Sequence, residues 1–255
     1  MGASTLVLTF DNLGEAAALE RGEAPELPHP SVTVALPRLL DALAARGLQA
    51  TFFVEAINCA LNPQAVLAIA ERGHELGHHG WRHEQWAGLP AERERELLDR
   101  GLQAFASLGL SVAGFRPPGG ALNQSSARLL REAGFGWCSP AADAFGRRQG
   151  LSWVPFEWEL VDAFHLLARF ASLRARRRGG GSRAGVVSAS QLGRAWSGEI
   201  DRLAAGEGGP FRTLVLHPFL MLERDWFDCV CALLDRACAR GLAVVAAGEA
   251  ARALT

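Results

Sequence analysis

Four of the chain's seven histidines lie in one eleven-residue stretch, Gly73-His74-Glu75-Leu76-Gly77-His78-His79-Gly80-Trp81-Arg82-His83. His79 and His83 are four apart, the spacing at which one helical turn stacks two imidazoles on one face, about 5–6 Å apart. Two such nitrogens suit one divalent metal. Glycines at 73, 77 and 80 remove bulk and let backbone approach whatever sits there. An isolated HxxxH pattern is weak evidence by itself, so its weight depends on what else the chain supplies. It supplies Asp11, Arg116 and His217, each just after a segment patterned as a strand. Strand ends are where α/β folds collect their active-site residues.

The elements that must position these groups alternate regularly. Thr5–Phe10 reads as a buried strand, with Asp11-Asn12 at its C-terminal end. The polar segment from Leu13 to Pro30 is long for a connection and is a candidate lid or substrate loop. Ser31 is placed to cap a helix with apolar positions at Leu36, Leu39, Leu40 and Leu43. Strand Ala50–Val54 and a helix from Pro63 to Arg72 precede the histidine stretch. A helix over Ala91–Leu108 carries a Glu/Arg run that reads as a solvated face. Strand Val112–Phe115 ends in Arg116-Pro117-Pro118-Gly119-Gly120, and helix Ser125–Ala133 leads to strand Gly136–Ser139. Leu151–Phe156 is the next strand and Asp162–Leu173 the next helix. Residues 174–185 (RARRRGGGSRAG) are the one low-complexity tract, with five arginines suited to gripping an anion or, more simply, to a flexible solvated loop. Strand Phe211–Leu216 ends at His217-Pro218, and helix Met221–Arg240 and strand Leu242–Ala247 close the chain. Strand and helix thus alternate about seven times, the pattern of a parallel α/β sheet or barrel, and residues 1–255 read as a single domain.

Bulk properties narrow the function. Nearly half of the 255 residues are apolar, enough for a sizeable core. The net charge of −1 gives no global field for nucleic acid or an anionic membrane. No apolar run approaches ~20 residues, so no membrane span is expected. The N-terminus enters a strand at once and lacks the pattern of a signal peptide. Cysteines 59, 138, 229, 231 and 238 are odd in number and show no CxxC spacing, which fits reduced thiols in a cytoplasmic protein. Nothing in the sequence specifies an oligomeric state.

Four segments together resemble the motifs of the polysaccharide deacetylase (NodB-homology) family. Thr9-Phe10-Asp11-Asn12 resembles the family's TFDD, and Gly73–Gly77 with His79-x-x-x-His83 its GHEIGNHTxxH. Phe115-Arg116-Pro117-Pro118-Gly119 resembles RxPxG, and Leu214-Val215-Leu216-His217 the closing LxLH. The resemblance implies a distorted (β/α)7-type barrel and metal-assisted hydrolysis of an N-acyl or related amide. It makes Asp11 the general base, held by Arg116, and His217 the general acid for the leaving amine. It makes His79, His83 and position 12 ligands of a divalent metal, zinc foremost, with cobalt or nickel as alternatives. These roles suit the groups themselves, since a carboxylate can take a proton from water and an imidazole can give one near neutral pH. Backbone N–H groups around Gly119 suit an oxyanion.

Three departures from the pattern matter. Asn12 stands where the family has a ligating Asp; a neutral amide is the poorer ligand, and Asn12 also suits a turn cap. Gly80 and Gly119 stand where the family has Ser or Thr and often an aromatic, which widens the site. Third, the usual Asp segment that tunes the acid histidine is not evident after Trp137-Cys138-Ser139. Val154-Pro155-Phe156-Glu157-Trp158-Glu159-Leu160-Val161-Asp162 instead resembles an LPxxWxLDD segment of intracellular, allantoinase-like members, matched at its second Asp by Asp162. Asp162, Glu159 or Asp143 is therefore the candidate to orient His217 or to replace a metal ligand. Pro117, Gly119, Trp158, Glu159 and Asp162 are the candidate substrate-binding positions. Trp81, Trp158 and Phe164 suit either a pocket wall or the core. The expectation is a cytoplasmic deacetylase of an N-acylated small molecule, such as an amino sugar or biosynthetic intermediate. A cyclic amide or imide hydrolase and a metal-free ligand-binding descendant are the rivals.

Overall fold

Nine strands form one sheet in the computed structural model, which describes residues 4–23, 28–178, 185–207 and 209–254. They are β1 (Thr5–Asp11), β2 (Thr51–Val54), β3 (Glu75–His78), β4 (Gly114–Phe115), β5 (Trp137–Cys138), β6 (Gly146–Arg148), β7 (Leu151–Trp153), β8 (Phe211–Leu216) and β9 (Ala243–Val245). The spatial order is β6-β7-β5-β4-β3-β2-β1-β8, with β9 beside the start of β1. Every pairing is parallel except β6–β7.

Side chains alternate between the faces of a strand, so the sequence sorts itself into two layers. On the outer face Leu6, Leu8, Phe10, Phe52, Val54, Leu214 and Leu216 pack in one buried cluster beneath the helices. The helix Leu36–Ala44 shows why: Leu36, Leu39, Leu40 and Leu43 fall on one stripe and are all buried. Each such leucine contributes roughly 2 kcal/mol of apolar burial as an upper value. On the inner face Val7, Phe53 and Trp137, from three strands, and Val154, just past the end of β7, meet in a single cluster. A flat sheet could not bring β1 and β7 together, so the sheet is curled into a distorted, incomplete barrel. Val161 adds a parallel bridge to Val215 on the free side of β8.

Glycines permit the close approaches inside this curl. A Cβ at Gly77 would lie 2.5 Å from the Phe53 ring, and one at Gly101 would lie 1.7 Å from His78 Nε2. His78, whole and buried, therefore packs outward against the helix Ala91–Ser107.

Several elements differ from the sequence expectation. The helix expected over 162–173 breaks: Asp162–Leu166 is helical, Leu167 is extended at φ −107° and ψ 130°, and a new helix runs Ala171–Arg178. Arg174 explains the change, because its buried guanidinium donates to the carbonyls of Phe164 and Leu167 and so ties the two pieces together. The start of the arginine tract is thus helical, not a loop; residues 179–184 lie outside the described residues, as do 24–27 of the Leu13–Pro30 segment. The helix Ala189–Ala204 was not expected, although Ser188 and Gln191 spell a capping box at its start. β6 was also not expected; it turns into β7 through Gln149 and Gly150, both at positive φ, the geometry of a two-residue hairpin.

Candidate active site

The strand register gathers the polar groups just past one end of the sheet, with Glu55 two residues further along than Asp11. Phe10 pairs with Leu216, Val54 with His78, His78 with Phe115 and Phe115 with Cys138. One residue further along each strand come Asp11, Glu55, His79, Arg116, Ser139 and His217. By alternation all six belong to the inner face, at the C-terminal mouth of the barrel.

His79 and His83 are brought together, but not by a helix. The chain after β3 is a loop, and two left-handed residues, Gly80 at φ +74° and His83 at φ +71°, fold it back. The imidazole centroids lie 5.0 Å apart, edge to face. Glu84 holds this loop by accepting from the backbone N–H of Trp81 (2.9 Å) and Arg82 (3.0 Å). Gly80 is needed there, since a Cβ would come 2.9 Å from Glu84 Oε2 in a backbone conformation that already disfavours side chains. His79 Nδ1 lies 2.9 Å from the carbonyl oxygen of Arg116. A carbonyl only accepts, so Nδ1 carries the proton and Nε2 keeps its lone pair, the tautomer that a metal requires. Burial pushes both His79 and His83 down to about 3, so both rings are neutral at ordinary pH.

Glu55 is the site residue that sequence reasoning missed. It is wholly buried, and one ligand atom each of Glu55, His79 and His83 lie within 4.8 Å of one another. Oε2 accepts from the Leu13 backbone N–H at 3.1 Å, whereas buried Oε1 has no hydrogen-bond partner. Burial pushes its carboxyl up to about 8. The signal was available: Thr51-Phe52-Phe53-Val54 is followed at once by a carboxylate, as the first strand is by Asp11. Two neutral imidazoles and a carboxylate are a donor set that fits a divalent metal such as zinc.

Asp11 and His217 are each held by buried partners. Arg116 Nη1 donates to Asp11 Oδ1 (2.6 Å) and to Thr9 Oγ (2.9 Å), and its other nitrogens donate to Ser139 Oγ. The guanidinium is fully buried and lies 4.1 Å above the Phe53 ring. Asp11 Oδ2 faces the histidine pair, 3.9 Å from His79 Nε2. Of the three acids considered for His217, Asp162 is the one in contact: its Oδ1 is 2.5 Å from Nδ1, and Oδ2 accepts from the His217 backbone N–H and from Trp226 Nε1. Glu159 instead pairs with Arg177, and Asp143 is exposed.

These groups open into a cavity of about 380 Å³ lined by Asp11, Asn12, His79, His83, Arg116 and His217. Pro117, Gly119 and Trp158 also line it, as do Phe156 and Phe170; Glu159 and Asp162 do not. Ala17, Glu20 and Arg21 bring the Leu13–Pro30 segment to its rim. Trp81 lies outside the lining, beneath the Arg100 guanidinium, and Phe164 is in the core. His74 and His165 are buried away from the cavity, with His74 Nδ1 accepting from Ala50 N–H and His165 Nε2 donating to the Glu159 carbonyl. Cys138 is inert, because burial pushes its thiol up to about 12.

Comparison with known proteins places the family and the fold. A peptidoglycan-N-acetylglucosamine deacetylase of Bacillus cereus is 33% identical over 109 residues, 42% of this chain and 49% of that relative. The chain therefore matches only about half of that relative's length. Among solved structures, a protein described as a polysaccharide deacetylase from Mycobacterium smegmatis superposes with a TM-score of 0.81 at 23% identity, covering 99% of this chain and 91% of the other. The Puue allantoinase superposes with a TM-score of 0.76 at 15% identity, covering 97% and 89%. At these identities the two structures establish the shared fold. Residues 1–137, more than half the chain, match the family profile described as polysaccharide deacetylase, and they carry Asp11, His79, His83 and Arg116. The chain belongs to the polysaccharide deacetylase family.

Proposed function

We propose that this chain is a metal-assisted hydrolase that removes an acyl group from the nitrogen of a small N-acylated molecule, with amino sugars and related biosynthetic intermediates as the substrate class. The observation that carries the reading is the meeting, in one cavity, of an arginine-held carboxylate, two neutral imidazoles and a carboxylate-held imidazole. His79 and His83 would hold the metal, with zinc the best match to their nitrogens and cobalt or nickel the alternatives. Bound there, the metal supplies Lewis-acid polarisation of the scissile carbonyl and a template for water.

The chain's own residues do the rest. Arg116 fixes Asp11 through Oδ1, so Oδ2 is the atom that takes a proton from the attacking water. Asp162 holds the proton on His217 Nδ1 and stabilises the charged ring, so Nε2 is the atom that delivers a proton to the departing amine. Phe156, Trp158 and Phe170 give the cavity an apolar wall suited to the face of a sugar ring. A volume of about 380 Å³ lies in the range of small-molecule sites, roughly 300–1,000 Å³. Unpaired thiols at all five cysteines support a reducing, cytoplasmic setting. No helix is long and apolar enough to cross a membrane among the described residues.

A cyclic amide or imide is the second substrate class, favoured by Asp162, which occupies its place in the 154–162 segment and reaches His217. The test is release of acetate from N-acetylated amino sugars, run beside ring opening of a cyclic imide. Asp11→Asn and His217→Ala should each lower kcat by roughly 10²–10⁴ without loss of metal. Full activity after either change overturns the assignment.

A further inference from the structure

Position 12 is where the family resemblance expects a metal-binding carboxylate, and this chain has an uncharged amide there. Glu55 has what Asn12 lacks. Its carboxyl can give up a proton and offer a charge to a metal, and it lies one residue beyond the end of β2, level with His79. A carboxylate oxygen of Glu55 is within 4.8 Å of ring nitrogens of both His79 and His83. Its Oε2 is fixed by the Leu13 N–H, while its buried Oε1 has no partner. Leu13 is fixed in turn, because Asn58 Nδ2 donates to the carbonyls of both Leu13 and Glu55. A buried, unpartnered carboxylate oxygen is costly and calls for a ligand of opposite charge. Arg116, buried on the same face, is already committed to Asp11, Thr9 and Ser139.

We propose that Glu55 is the third protein ligand of the divalent metal held by His79 and His83, and that it takes the place of the carboxylate missing at position 12. This rests on the metal-assisted reading above and deepens it. Two imidazoles and one carboxylate leave a coordination position open, the arrangement of a catalytic rather than a structural zinc site. The Leu13 N–H holds the carboxylate in the way that outer hydrogen bonds orient metal ligands, and Asn58 fixes the backbone on either side of that contact. Asp11 is then free of the metal and available as the base.

Zinc affinity, measured by competition with a chelating dye, tests the proposal on the parent, His79→Ala, Glu55→Gln and Asn12→Ala. The parent should bind about one equivalent and His79→Ala should lose it. Glu55→Gln should weaken binding by at least about 100-fold, more than loss of an orienting group costs. Asn12→Ala should stay within about 3-fold. The opposite order, with Asn12→Ala losing zinc and Glu55→Gln keeping it, overturns the Glu55 assignment alone. A parent that binds no zinc, or one whose zinc survives His79→Ala, overturns the metal reading as well. A zinc anomalous-difference map of the unmutated protein is independent of how the variants fold. A peak about 2.0–2.2 Å from a Glu55 oxygen supports the proposal, and one beyond about 3 Å overturns it.

Discussion

Replacing Glu55 with glutamine should stabilise the metal-free protein at alkaline pH and destabilise the zinc-loaded one. Burial pushes the Glu55 carboxyl from 4.5 up to about 8 in the folded protein. The folded, metal-free protein therefore keeps that proton over a range in which the unfolded chain has lost it. With the folded value above the unfolded one, stability is fully present below about pH 4.5 and declines as pH rises towards 8. The upper limit of that loss is about 5 kcal/mol. Because the carboxylate faces other polar groups near an open cavity, about 1–3 kcal/mol is the expected size. Glutamine keeps the shape without the charge, so Glu55→Gln should abolish this slope. Zinc reverses the sign: at 100 times its Kd it adds about 2.7 kcal/mol to the parent and little to the variant. Urea unfolding at pH 5, 7 and 9, with chelator or with excess zinc, reads both effects, and the parent-minus-variant difference isolates Glu55 from other titrations. A difference in chelator that is the same at pH 5 and 9, or equal stabilisation of both proteins by zinc, would refute the reasoning.

Other substitutions probe the frame around the site. Asp162→Asn should lower kcat by roughly 10²–10⁴ by releasing the His217 ring, while zinc content, measured by metal analysis, stays at the parental level. Arg116→Met should cost roughly 3–5 kcal/mol in urea unfolding, because it leaves the buried Asp11 carboxylate without its cation. Gly101→Ala should lower the melting temperature through about 1–3 kcal/mol of overpacking, since its Cβ would collide with the buried His78 ring; an unchanged melting temperature would mean that His78 is not packed there.

Much of this arrangement was legible in the sequence, for a physical reason. Parallel strands buried on both faces leave near-continuous apolar runs, and the polar residue just past each run emerges at the mouth of the barrel. Asp11, Arg116 and His217 were found that way. Glu55 obeyed the same rule but had no motif to draw the eye. The HxxxH spacing picked two rings that the fold does bring together, but in a loop folded back by left-handed Gly80 and His83 and not on a helix. The helix at 162–173 was misread because its break depends on Arg174, a tertiary contact that no window of residues reveals. The choice of Asp162 over Glu159 and Asp143 likewise needed the fold, since the residues that compete for His217 are distant along the chain.

The central claim is that the ring of groups at the barrel mouth is a metal-dependent centre for amide hydrolysis. Titrating zinc into chelator-stripped protein while following acetate release from an N-acetylated amino sugar tests it directly. The rate should rise in proportion to bound zinc, reach a plateau at about one equivalent, and fall again when chelator is restored. A rate that is already complete in the stripped protein and does not change across the titration would contradict the account.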